Sequence, residues 1–166
     1  MTVWTTSGDN FGLDVENRYL ARVLRSLGYR AALKAVPGGV GAFFRYVSDV
    51  RNRAQTGLSG WFADYASAFG YLQPNFSCAA TGVRASNTSQ FCNRGVDRQI
   101  KRAAAVESSE PQAAAHLWHR IDERVTDLAP WVPLFNQTTA QLVSKRVGNY
   151  QYNPQWGVLV DQLWVR

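Results

Sequence analysis

Apolar and polar positions change their period several times along this chain. Thr2 to Thr5 reads as a short strand, and a Gly8-Asp9-Asn10 turn follows. From Val15 the apolar residues recur as Val15, Tyr19, Leu20, Val23, Leu24 and Leu27, the spacing of one helical face. Asp14 is placed to cap that helix and Gly28 to end it. Arg30 to Val36 alternates as a second strand closed by Pro37-Gly38-Gly39. Phe43, Phe44, Val47 and Val50 predict a second helix, and Ala54 to Trp61 a third strand. Strand, helix, strand, helix, strand with short connections predicts a parallel α/β layer with right-handed crossovers.

The pattern weakens over residues 66–94, which hold Gly70, Pro74, Gly82 and the polar run Ala85-Ser86-Asn87-Thr88-Ser89-Gln90. This predicts a long irregular excursion, of a kind that is usually functional or pinned. Two helices follow. One spans Val96 to Val106, with Val96, Ile100 and Ala104 on one side. The other spans Pro111 to Leu128, with Ala114, Leu117, Ile121, Val125 and Leu128 on one side and Pro111 in the first turn. Ala129 to Phe135 looks extended, and its prolines argue for an edge strand or a crossover. Ala140 to Val147 and Val158 to Val165 predict two further strands around a turn-rich aromatic stretch.

Composition narrows the class. The chain has 166 residues, 46% hydrophobic and 13% aromatic, which suits one domain with a sizeable core and excludes disorder. Its longest apolar stretches, such as residues 157–160, fall far short of the roughly 20 residues of a membrane span. The net charge is +6, but the basic residues are scattered, which describes a mildly basic surface. Met1 leads directly into a strand, so the chain is expected either to be cytosolic or to lack its start. Cys78 and Cys92 enclose a small, polar loop that little else would hold. They read equally well as a disulfide or as two unrelated buried thiols.

Most candidate chemistry has a plainer explanation. Gly38-Gly39-Val40-Gly41 lies where a phosphate-cradling loop would, but Phe44 occupies the third glycine's place and no Walker lysine follows. His116, His119 and Glu123 share a helix, without another histidine to complete a metal site. Arg18, Arg22 and Arg25, and likewise Arg94, Arg98, Lys101 and Arg102, form stripes that could face phosphates. Each lies opposite an apolar face, as a solvated helix surface would. No nucleophile with its base is evident. Asn75-Phe76-Ser77, Asn87-Thr88-Ser89 and Asn136-Gln137-Thr138 match the short glycosylation pattern.

Gly60-Trp61-Phe62-Ala63-Asp64-Tyr65 is more informative, because it ends the third expected strand, where open α/β sheets bind ligands. Asp64 between Trp61 and Tyr65 offers a fixed negative charge beside aromatic walls, which suits a ligand ammonium. A capping Asp with core aromatics beside it would leave the same residues.

These residues resemble the Gly-Trp-x-Ala-Asp-Tyr segment of family 5 extracellular solute-binding proteins, the peptide- and dipeptide-binding components of ABC importers. The resemblance continues through Ser89-Gln90-Phe91-Cys92-Asn93, Val96-Asp97-Arg98-Gln99-Ile100 and Ala113-Ala114-Ala115-His116-Leu117-Trp118. It then takes in Ala129 to Phe135 and Val143-Ser144-Lys145-Arg146-Val147. It implies an α/β lobe of the two-lobe, type II periplasmic-binding-protein (Venus flytrap) fold, with a parallel-type sheet flanked by helices and a C-terminal crossover. Residues 1–130 would be the C-terminal lobe, and residues 131–166 a return segment packing on a missing N-terminal lobe.

The implied function is ligand capture, without catalysis, cofactor or metal. The implied partners are a peptide or other small solute and the membrane permease, with no nucleic acid. The location would be extracytoplasmic, periplasm or cell envelope, anchored to a membrane through a missing N-terminus. The resemblance gives Asp64 the pairing with a peptide α-amino group and Trp61, with Tyr65 beside it, the wall of the cavity. It also favours a Cys78–Cys92 disulfide. Ala66-Ser67-Ala68 stands where many members carry an acidic or Asp-Pro element. That leaves the solute open, since the family also takes up nickel chelates, glutathione and sugars. Asn93-Arg94-Gly95 replaces an Asp-Pro-Glu-like helix start. The alternative reading is a small basic nucleic-acid-binding α/β domain.

Overall fold

The parallel layer is built on two strands, β1 (Thr2–Thr6) and β2 (Ala32–Val36), in register from Thr2 opposite Ala32 to Thr6 opposite Val36. The computed structural model describes residues 1–7, 12–62, 64–136, 138 and 140–166. The expected turn at Gly8-Asp9-Asn10 lies outside the described residues. Helix α1 (Leu13–Ser26) makes the crossover and buries Ala21 against Val3 and Ala31, with Leu20, Leu24 and Leu33 around them. Its start differs from the expectation. Gly12 is the N-cap, in a left-handed conformation at φ 80°, and Asp14 lies in the first turn, paired with Arg18 at 2.9 Å. A carboxylate there favours the helix through the dipole instead of through a cap. Gly28, at φ 90°, follows the C-cap Leu27.

The third strand shrinks to one parallel bridge, Val3 to Thr56, with the Trp4 N–H donating to the Thr56 carbonyl at 2.8 Å. Two features end the ladder. Gly57 passes so close to β1 that an added Cβ would lie 2.6 Å from the Trp4 carbonyl oxygen. The next amide, Leu58, donates to the Asn17 side chain at 2.7 Å instead of to a strand.

Helix α2 (Gly39–Val47) begins directly after Gly38 and buries Phe43, so Gly38 to Gly41 serve as a helix start. Val50 falls outside it, in a 3-10 turn over Val50–Asn52 capped by Asp49. The Asp49 carboxylate accepts from the Arg51 N–H at 3.0 Å and from its guanidinium at 2.6–3.2 Å. Those bonds hold the Asp49 carboxyl down to about 2, against the opposing effect of burial. A depressed carboxyl contributes stability that is fully present above its unfolded value and lost as pH falls through the folded one. Wild type is therefore expected to lose stability between about pH 4 and pH 2 relative to Asp49→Asn. Urea midpoints at pH 5 and pH 2.5 check this, and parallel losses in both proteins would contradict it.

The excursion over residues 66–94 contains a helix that the pattern concealed, α3 (Phe69–Phe76). Beyond it, Cys78 and Cys92 are bonded, with Sγ atoms 2.07 Å apart. The enclosed loop has other ties as well, contrary to its polar, featureless sequence. Asn87, fully buried, donates to the Ser77 and Phe91 carbonyls at 3.2 and 2.7 Å, and Ser86 donates to the Pro74 carbonyl at 2.6 Å. A buried amide with its hydrogen bonds made is a strong local constraint. Asn75 is buried too, so two of the three glycosylation patterns present no accessible amide.

Helices α4 (Arg94–Val106) and α5 (Pro111–Leu128) form an antiparallel hairpin over the main core. Asn93 caps α4, accepting from the Gly95 and Val96 amides at 2.9 and 3.2 Å. Leu72, Phe76, Val96, Ile100, Ala103, Ala114, Trp118, Ile121 and Val125 form this core, with Trp131 packed against it. The long strands expected after α5 reduce to two-residue pairs. β3 (Val147–Gly148) pairs with β6 (Trp164–Val165), and β4 (Tyr152–Asn153) with β5 (Gly157–Val158), both antiparallel. Ala129 to Phe135 forms no strand. None of the described residues from 131 to 166 is buried, and Phe135 and Trp156 are 67% and 69% exposed.

Candidate functional site

The segment from Gly57 to Ala68 leaves the β1 layer and reaches the α3–α5 core. It is held at three points. At its start, Asn17 accepts the Leu58 N–H through Oδ1 while its Nδ2 donates to the Leu13 carbonyl at 2.8 Å. Asn17 is fully buried in α1.

The second point is the Trp61 indole. Its Nε1–H donates to the Gly70 carbonyl at 3.0 Å. That carbonyl is available because Pro74, four residues on inside α3, has no N–H to occupy it. Tyr65 comes to the same place. A Cβ on Gly70 would lie 3.4 Å from the Tyr65 ring and 3.6 Å from the Asp64 backbone nitrogen. Both are ordinary van der Waals distances, so the loop lies close against α3 at this position.

The third point is Ser67. Its hydroxyl lies 2.8 Å from both carboxylate oxygens of Glu107, donating to that group, and accepts the Phe69 N–H at 3.1 Å. Glu107 also accepts the Trp118 indole N–H at 3.1 Å. One carboxylate at the end of α4 thus joins the loop to a tryptophan of α5.

Between these points lie the residues singled out from the sequence. Trp61 is half-buried, Tyr65 is 46% exposed and Asp64 is exposed. Phe62, 84% exposed, adds an aromatic face that the local pattern did not single out. Ala63 lies outside the described residues. Asp64 has no hydrogen bond or ion pair from its carboxylate among the described residues. A carboxylate with aromatic residues on either side of it in the sequence can take a cationic nitrogen, by a charge-assisted hydrogen bond and by ring contact.

The other candidates are not drawn into such an arrangement. His119 pairs with Glu123 at 3.5 Å on an exposed face, and no group of three metal-binding side chains occurs among the described residues. Arg18 pairs with Asp14, Arg22 lies over the Tyr19 ring, and Arg25 donates to the Ala31 carbonyl at 2.8 Å. That basic stripe is therefore engaged with its own surroundings. Arg94, Arg98, Lys101 and Arg102 are exposed, opposite Val96, Ile100 and Ala103. No helix among the described residues is long and apolar enough to cross a membrane.

No family profile matches this chain. Individual proteins do. A probable di/tripeptide-binding protein 5 of Pseudomonas aeruginosa is 32% identical over 95 residues, which is 57% of this chain and 18% of that protein. The glutathione-binding protein GsiB of Salmonella paratyphi A is 24% identical over 166 residues, covering 96% of this chain and 31% of GsiB. Among solved structures, the Helicobacter pylori periplasmic binding protein DppA in complex with the peptide STSA superposes with a TM-score of 0.64. It is 24% identical, over 80% of this chain and 24% of that one. The clavulanic acid biosynthesis oligopeptide binding protein 2 superposes with a TM-score of 0.79 at 17% identity, over 99% of this chain and 30% of that one.

The chain thus spans less than a third of the relatives it matches. Its fold is that of one lobe of a type II periplasmic binding protein. The resemblance to family 5 solute-binding proteins holds in sequence as well, the relatives being named for the binding of peptides or glutathione.

Proposed function

We propose that this chain is one lobe of the solute-binding component of an ABC importer, and that it captures peptides or a related solute bearing an α-amino group. The observation that carries this reading is Asp64, an exposed carboxylate with no cation paired to it among the described residues, set between Trp61 and Tyr65 in the sequence on a loop tied down at both ends. Relatives named for di/tripeptides and for glutathione support the solute class, since those ligands share a free amino group beside a peptide or amide backbone. Residues 1–130 form the lobe. Residues 131–166, without a buried residue among those described, return to a second lobe that covers them. Closure of the two lobes traps the solute, and the closed form is the one a membrane permease accepts. The work is binding and release, with no bond made or broken, and it takes place in the periplasm or cell envelope.

Asp64→Asn removes the charge while keeping the shape of the side chain. In the intact binding protein, the variant is expected to weaken tripeptide binding by about 1.5–3 kcal/mol, the worth of a hydrogen bond to a charged group. Isothermal calorimetry reads this directly. Unchanged affinity would remove Asp64 from the site.

A further inference from the structure

We infer that Glu107, acting through Ser67, is the positioning residue that sets where the Asp64 carboxylate stands. The inference rests on the binding reading above and adds to it a residue 43 positions away in the sequence.

The loop has two other ties, and neither fixes Asp64 by itself. Asn17 holds Leu58, six residues before Asp64, and the Trp61 indole holds the near side to Gly70. After Asp64 the chain must turn to enter α3, and Ser67 is where that turn is made. Its N–H donates to the Tyr65 carbonyl at 2.7 Å and its hydroxyl meets both oxygens of Glu107 at 2.8 Å. Glu107 is itself held by the Trp118 indole, and Trp118 is 7% exposed in the main core, edge-on to Phe69. A chain of contacts therefore runs from the packed α4–α5 hairpin to within three residues of Asp64. Hydrogen bonds to an ionised group are stronger and more directional than neutral ones, so this pin resists displacement more than a serine–amide contact would. Binding groups held in place before the ligand arrives cost less ordering on association.

The test uses the intact binding protein with a defined mixture of tripeptides bearing free amino termini, and the same mixture N-acetylated. Ser67→Ala releases the loop and leaves the Glu107–Trp118 bond in place. It is expected to lower the apparent affinity for the free-amino mixture by about tenfold and to leave that for the acetylated mixture unchanged. Glu107→Gln should act in the same direction, and neither change should add to Asp64→Asn. Hydrogen exchange gives a readout that needs no ligand. In Ser67→Ala the Trp61 indole proton is expected to exchange about tenfold faster, with the Ile100 and Ile121 amides unaltered.

Equal losses for both mixtures, or unaltered Trp61 exchange, would overturn the positioning role. A wild type that binds neither mixture would overturn the peptide reading alone, and Trp61 exchange would still decide whether Glu107 sets the loop.

Discussion

Phe76→Ala is expected to lower the unfolding free energy by about 3–5 kcal/mol, the range for truncating a buried aromatic. Phe76 is 4% exposed at the end of α3, and three rings are arranged around it. Trp131 lies 5.2 Å away and Phe91 6.4 Å away, both edge to face, and Tyr71 lies 6.5 Å away. These neighbours belong to different stretches of chain, so they cannot collapse together into the space that the ring leaves. The upper half of the range is therefore expected, because incomplete relaxation sets the cavity cost. Urea unfolding followed by circular dichroism measures the loss, and a Trp emission shift to the red would report the uncovering of Trp131. A loss under about 1 kcal/mol would mean that the site closes up and that Phe76 is not the centre of this cluster.

Removing the Cys78–Cys92 bond, as Cys78→Ser with Cys92→Ser, is expected to cost about 3 kcal/mol. The magnitude follows from the 14-residue separation, because a cross-link of that span limits the conformations open to the unfolded chain. The native loop has its own supports in Asn87, Ser86 and the Gln90 side-chain Oε1 that accepts the Gly82 N–H at 2.8 Å. The variant is therefore expected to keep its folded loop while losing stability. The check is a lower urea midpoint together with unchanged amide protection at Asn87. Loss of that protection in the folded protein would show that the bond, and not the buried amide, shapes the loop.

What the sequence made legible follows from where local pattern and tertiary packing agree. α5 runs from Pro111 to Leu128 as its periodicity indicated, because a proline suits a first turn and one apolar stripe meets one core. α3 escaped because Gly70 and Pro74 read as breakers, whereas Gly70 is buried inside the helix beside Tyr65 and Pro74 frees a carbonyl for Trp61. The Ala54 to Trp61 alternation was real, but Leu58 found a better acceptor in Asn17 than a strand could offer. The strands expected after residue 140 had suitable residues and no layer to bury them against, so alternation alone produced only two-residue pairs.

At the site, Trp61, Asp64 and Tyr65 were visible as residue types in a suggestive place. The pins were not, and Asn17 lies off the apolar face that the spacing from Val15 to Leu27 indicated. Ser67 and Glu107 are 40 positions apart, and no local rule relates a serine before a helix to a glutamate at the end of another.

Among the described residues two separate hydrophobic clusters stand out, one around Val3 and Ala21 and one around Ile100 and Ile121, with the Asp64 loop running between them. This division bears on how the protein comes apart. Units with their own cores open with their own free energies unless something couples them, and the segment from Gly57 to Ala68 is a coupling made largely of hydrogen bonds. A solute bound there, as proposed, would grip the loop between the two clusters. Its effect would be felt as cooperativity, by merging two melting steps into one, as well as by raising the temperature of either.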